Sequence, residues 1–195
     1  QVIAYTNQYN NGRINPYHNN MHMFEVFEQC VEIVNNWSGD TIKEEELYTA
    51  ALFHDYDHIG KMGLDDRLNI ERAIEGFNNY ALNINYSDDF KKDVIELIKS
   101  TQYPSVIKDD DMTIEMMLLT DADMTAQFRN NILISVYNGL KKEFNVDDDI
   151  FFANKKKFIE NLNFKTEYCR SRWEFLKPLK IEELENLAIC YGVFI

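Results

Sequence analysis

Cysteine is scarce in this chain: three residues, Cys30, Cys169 and Cys190, odd in number, far apart and set in apolar, helix-spaced surroundings. That excludes a disulfide frame and a zinc knuckle, and predicts reduced, buried thiols. No apolar run approaches the roughly 18 residues of a membrane-spanning helix, and no stretch reads as a secretory leader. A soluble cytoplasmic protein without a membrane partner is therefore expected. Basic residues are also in deficit, 20 Lys and Arg against 33 Asp and Glu, for a net charge of −13. Such a chain is not built to neutralise the phosphates of duplex nucleic acid. Bound divalent cations can nevertheless reverse the sign of the field at one site. No alternating apolar and polar stretch of useful length marks a strand, and there is no internal repeat or linker. The expectation is an all-α fold, a single compact helical bundle over residues 1–195, long enough to bury a core without staples.

Histidine is nearly as scarce, and here scarcity is informative. The chain has only four, in two pairs with the same spacing: His18 and His22, then His54 and His58. The second pair lies in Leu52-Phe53-His54-Asp55-Tyr56-Asp57-His58-Ile59-Gly60, behind an apolar lead-in at helical spacing. Continued as a helix, that lead-in puts His54 and His58 on one face, one turn apart. The first pair opens another apolar pattern, Met23 to Val34, and would face one way near a helix start. Neutral imidazole with carboxylate suits a divalent transition metal, and carboxylate with water suits magnesium or manganese. A single His-Asp pair is more often a core histidine bonded to an acid; four histidines in paired register are harder to assign to that.

The rest of the chain reads as helices. Residues 1–14 form an arm or short helix. A helix then runs from about Tyr17 to Trp37, and Thr41 with Glu44 makes a capping box for the next, the one carrying the His-Asp stretch. Asp65 to Leu82 follows, and Ser87 caps Asp88 to Thr101. Met112 to Met124 is a strongly apolar, central helix that carries Asp121 and Asp123 near its end. Phe128 to Phe144 continues with Gly139 inside it, Asp147 to Asp149 caps a helix reaching Leu162, and Pro178 divides the last two stretches, Phe164 to Leu176 and Ile181 to Tyr191.

Tyr17-His18-Asn19 with His22, His54-Asp55-x-x-His58-x-Gly60, and Ala122-Asp123 on an apolar helix together resemble the HD-domain metal-dependent phosphohydrolase superfamily. Within it they resemble class I cyclic nucleotide phosphodiesterases and small bacterial HD phosphohydrolases. The resemblance covers about residues 16–124, the metal-site core, and reaches the C-terminal helices of about 125–195 only as helical pattern.

It implies a first metal on His22, His54, Asp55 and Asp123, with Asp55 bridging to a second ion, the pair being Zn, Mg, Mn or Fe. Two such ions activate a bridging water for in-line attack on phosphorus. His18 would be the general acid for the leaving oxygen, and His58 an outer group or phosphate contact. Tyr17, Asn19, Asp57 and Glu71 are candidates to orient water or substrate. Asp123 is preferred over Asp121 because the family's ligand follows an alanine.

The implied reaction is hydrolysis of a nucleotide phosphoester, foremost the phosphodiester of a cyclic mono- or oligonucleotide. A nucleotide phosphomonoesterase or pyrophosphohydrolase, and a non-catalytic nucleotide sensor, are the alternatives. The phosphodiesterases' late glutamine for the purine has no counterpart in Arg170-Ser171-Arg172-Trp173-Glu174-Phe175-Leu176-Lys177-Pro178, so the base is left open. Exposed N-terminal aromatics leave a homodimer open.

Overall fold

The computed structural model describes residues 1–61, 63–129 and 132–195, and among them there is no strand. Ten α-helices follow one another: α1 Val2–Tyr9, α2 Asn20–Asn35, α3 Glu44–Ala51, α4 Arg67–Ala81, α5 Asp88–Ser100, α6 Ile114–Met124, α7 Ile132–Val136, α8 Lys142–Phe144, α9 Asp148–Asn161 and α10 Glu167–Cys190. A 3-10 turn, Asn11–Ile14, links α1 to the body, and another, Thr125–Phe128, follows α6. Between α7 and α8 the segment Tyr137–Lys141 widens to a π-helix. Buried apolar side chains from Met23 on α2 to Val193 beyond α10 form one continuous cluster.

Helix α6 is the central one, as its composition requires. Leu118, Leu119 and Ala122 are buried, with α2 packed along one side. Several ends follow the sequence rules. Asn19 caps α2 by accepting from the N–H groups of Met21 and His22, Ser87 caps α5, and Thr113 caps α6. The predicted capping box at Thr41 and Glu44 does not form; α3 begins after Lys43 without a side-chain cap. Three glutamates in its first turn complement the helix dipole in place of the cap.

Pro178 does not divide two helices but sits inside α10. Its missing N–H and ring clash cost about 3 kcal/mol in a helix interior. The helix continues because both halves are tied down. Trp173 is buried before the proline, and Leu184 and Ala188 after it, while the Lys180 ammonium donates to the Arg129 carbonyl at 2.6 Å. Of the three cysteines only Cys30 and Cys169 are buried; Cys190, the last residue of α10, is exposed.

The largest departure from the helical reading falls where the motif is. After Leu52 the chain leaves α-helical bonding, with Phe53, Tyr56 and His58 donating to carbonyls three residues back. Asp57 then adopts φ 57°, a left-handed conformation that aspartate tolerates better than most residues. His54 and His58 are therefore not stacked on one helix face, and point to different neighbours.

This loop is seated by Tyr56, which lies over Gly76 in α4. A Cβ at Gly76 would come within 2.2 Å of the Tyr56 ring. Gly76→Ala is thus expected to lower stability by about 1–3 kcal/mol through overpacking, several degrees in melting temperature, despite alanine's better helix propensity. A thermal melt of the variant measures this.

Candidate metal centre

Four side chains from three segments converge. His22 projects from the first turn of α2, His54 and Asp55 come from the loop after α3, and Asp123 comes from the last turn of α6. Ligand atoms of His22, His54 and Asp123 lie within 4.8 Å of one another. His22 Nε2 is 3.2 Å from both Asp55 Oδ2 and Asp123 Oδ1, and His54 Nε2 is 3.2 Å from Asp55 Oδ2 and 3.6 Å from Asp123 Oδ1. The imidazoles are buried, and the carboxylates form the more open side.

The tautomer of His54 is fixed by its other nitrogen. Nδ1 lies 2.8 Å from the Ala51 carbonyl, an acceptor, so it carries the proton and leaves a lone pair on Nε2. That atom is buried and has no hydrogen-bond partner; the Asp55 oxygen is close but misdirected for one. A lone pair facing two carboxylates is relieved by a metal ion between them or by a proton on Nε2. The donor set, two imidazole nitrogens with carboxylate oxygens, fits a divalent metal.

Without a metal, protons fill that role. Burial alone would lower the imidazoles, but the Asp123 and Asp55 carboxylates override it, holding His22 up at about 9 and His54 well above its ordinary value. Burial would likewise raise the two carboxyls, yet the imidazoles keep Asp55 well below and Asp123 below the usual range.

The raised His22 contributes stability that is fully present below its unfolded value of 6.5 and is lost as pH rises through about 9. The depressed carboxyls contribute above their unfolded value and lose that contribution as pH falls through their folded values. Chelated protein should therefore lose melting temperature between about pH 7 and pH 9, and metal-loaded protein should not. A melt series across that range tests it, and parallel curves for the two forms would contradict it.

A second group stands beside the first. His18 precedes α2 and is capped off from it by Asn19, so it does not share the face of His22; the two rings meet edge-on at 5.6 Å. His18 Nδ1 is 2.5 Å from Glu143 Oε1, while Glu143 Oε2 accepts from the N–H groups of Tyr17 and His18 at 2.8 and 2.9 Å. Burial works to raise the Glu143 carboxyl, but His18 and these N–H donors hold it below its ordinary value. The His58 ring stacks on His18 at 4.0 Å, and ligand atoms of His18, His58 and Glu143 also lie within 4.8 Å of one another.

Glu143 is absent from the sequence-level candidates, being 125 residues from His18 in an ordinary helical stretch. One signal pointed there. Gly139, four residues earlier, has no Cβ because one would meet the Pro16 carbonyl at 3.1 Å and the Tyr17 ring at 3.2 Å. A glycine inside a helix marks close approach of another backbone. Here the approaching backbone is that of Pro16, which leads into Tyr17 and His18, and π-segments often accompany functional sites.

The other candidates divide. Tyr17 packs against His22 with ring centroids 5.2 Å apart; burial pushes its phenol up, with Asp123, Glu25 and Asp55 adding, so it stays protonated. Asn19 caps α2 with its side-chain oxygen and donates one amide N–H to the Asn15 carbonyl. Asp57 faces the N-terminal arm, accepting from Asn11. Glu71 is exposed on the outer face of α4 and pairs with Arg67 at 3.8 Å. Neither acid reaches the cluster, because the left-handed turn at Asp57 and the rotation of α4 carry both away.

Asp121, two residues before Asp123 and so about 200° around the helix, accepts from the Lys165 and Thr166 N–H groups and the Thr166 hydroxyl, each at 2.7 Å. Arg172 lies over the Phe128 ring and bonds Glu32 at 2.7 Å, and Trp173 is in the core.

The HD domain family model matches residues 21–127, just over half of the chain, a span that contains His22, His54, Asp55, His58 and Asp123. The chain belongs to the HD-domain family. No curated protein and no solved structure matches it. HD-domain membership points to metal-dependent phosphohydrolase chemistry, and the His/Asp cluster supplies groups that could hold the metal. Tyr17, His18 and Glu143 lie outside the matched span. No described helix is long and apolar enough to cross a membrane.

Proposed function

We propose that this HD domain hydrolyses a phosphodiester bond in a cyclic mono- or oligonucleotide. The observation that carries the reading is the position of His18: beside the His22, His54, Asp55 and Asp123 cluster but outside it, with Nδ1 held by Glu143. Its other nitrogen, Nε2, belongs to a side chain that remains 18 % exposed. That is the arrangement of a proton donor, and a diester with an alkoxide leaving group is the substrate that needs one.

His22, His54, Asp55 and Asp123 would hold divalent metal, which would supply an acidified water and offset charge on the phosphoryl oxygens. The protein's own residues do the rest. His54 is oriented by the Ala51 carbonyl, His22 by the first turn of α2 and Asp123 by the central helix, so the ligand set is rigid before any ion arrives. Protonated His18 donates from Nε2 to the departing ribose oxygen as the ester P–O bond breaks, while Nδ1 stays on Glu143, which balances the charge on the ring. Tyr17, a neutral phenol against His22, closes the side facing α2.

The test is hydrolysis by metal-loaded protein of cyclic mono- and dinucleotides, linear dinucleotides and nucleoside monophosphates, with a chelated control. Diester turnover that chelation abolishes is the expected result. Turnover of monoesters alone would replace this reading with a nucleotidase, and binding without turnover of any of them would replace it with a nucleotide sensor.

A further inference from the structure

His58 is the histidine that the reaction above leaves without a task. It is buried to 9 % exposure, and as a neutral imidazole it can accept a hydrogen bond at only one of its two nitrogens. Gly60 N–H lies 3.0 Å from Nδ1, and the Asn69 amide nitrogen lies 3.0 Å from Nε2. The orientation of that amide is fixed twice over: its oxygen accepts from Ile59 N–H at 3.0 Å, and its nitrogen also donates to Asp66 Oδ1 at 2.9 Å. Asp66 is anchored in turn, its other oxygen accepting from Tyr103 N–H at 2.7 Å. With the amide nitrogen turned towards it, Nε2 is the accepting atom and Nδ1 carries the ring proton, 3.6 Å from Glu143 Oε1. What the ring presents is its face, 4.0 Å from the His18 ring at 30°.

We propose that Asn69 is a positioning residue for His18, acting through the stacked ring of His58. The inference rests on the reading of His18 as proton donor. Two contacts define a plane for the His18 imidazole: Glu143 on Nδ1 fixes the direction of one edge, and the His58 face fixes the tilt. A flat ring with one hydrogen bond can still rotate about it, and the stack removes that freedom. His58 can do so only if it is itself immobile. Asn69 on Nε2 and the Asn15 amide on the His58 carbonyl at 2.7 Å supply the immobility. Asn69 lies on the inner side of α4, buried to 7 %, whereas Glu71 two residues later is outside. So α4 contributes to the site through the asparagine and not through the acid.

Ring-nitrogen NMR of full-length protein labelled at its four histidines tests this without relying on turnover. In Asn69→Leu the His18 signals should shift along with those of His58, while those of His22 and His54 stay in place. An unmoved His18 overturns the proposal.

Kinetics supply the second arm, with two probes: a cyclic mononucleotide, whose leaving group is an alkoxide, and bis-p-nitrophenyl phosphate, whose leaving group needs no acid. Asn69→Leu should lower turnover of the cyclic nucleotide by about 10–100-fold, as loss of supporting partners commonly does, with little change on the nitrophenyl ester or in bound metal. Equal losses on both probes would overturn it.

His58→Phe, which keeps a flat face, should retain more cyclic-nucleotide turnover than His58→Ala; equal loss in the two would assign the role to the nitrogens and overturn the platform. Wild-type protein inactive on every phosphoester would defeat the phosphodiesterase reading and leave the NMR result to decide the coupling of Asn69 to His18.

Discussion

Asp123→Ala is expected to abolish both metal retention and hydrolysis, with turnover falling on the order of 10³-fold or more, since the ion supplies both the acidity of the water and the charge on phosphoryl oxygen. The carboxylate sits 3.2 Å from His22 Nε2 and 3.6 Å from His54 Nε2, so removing it opens one side of the ligand set while the imidazoles remain. Asp121→Ala is the matched control on the same helix. It deletes the shared acceptor of three donors at the start of α10 and leaves them buried. Its cost should appear as stability, about 2 kcal/mol or more, with metal stoichiometry intact. Metal content by elemental analysis and a thermal melt separate the two variants. Loss of metal in Asp121→Ala at unchanged stability, or retention in Asp123→Ala, would exchange the roles assigned here.

The choice of Asp123 over Asp121 comes from the resemblance, in which the ligand follows an alanine; helix geometry adds only that the two aspartates face different ways. The cap at Ser87 and the central position of α6 were legible in the sequence, since each depends on residues within a few positions of one another. The HD-type cluster was legible in identity but not in geometry. Spacing alone suggests that His54 and His58 share a helix face. The tertiary structure overrides it, because the loop after α3 must turn His54 inward towards α2 and α6. Asp57 absorbs that turn at φ 57°.

Contacts between distant segments stayed illegible for the same reason. Glu143 meets His18 across 125 residues, and no periodicity links them. Glu71, placed beside a motif, proved to be on the wrong side of its helix. Pro178 carried a strong local signal for a break, and burial on both sides of it prevailed. Each of these errors is a local preference outweighed by packing, and the residues that reveal the packing, Gly76 and Gly139, are conspicuous only for having no side chain.

His18→Ala should lower turnover of diesters with alkoxide leaving groups by about 10²–10⁴-fold, the usual contribution of a positioned acid, while metal content stays that of the wild type. The selectivity of the loss is the informative part. A nitrophenolate departs without a proton, so hydrolysis of its ester should fall far less. Glu143→Gln should show the same selectivity at a smaller size, about 10–100-fold. The glutamine oxygen can still accept from the Tyr17 and His18 N–H groups, as Oε2 does now at 2.8 and 2.9 Å, but its amide nitrogen then faces His18 Nδ1 where the carboxylate oxygen had been. The ring keeps its place and loses the negative charge that compensates its own. If His18 were instead a metal ligand, the ion would leave with it, and both classes of ester would fail together in His18→Ala. Measuring bound metal and the two leaving groups side by side therefore distinguishes an acid from a ligand. An acid loses one substrate class and keeps its ion, because the His22, His54, Asp55 and Asp123 cluster is complete without it.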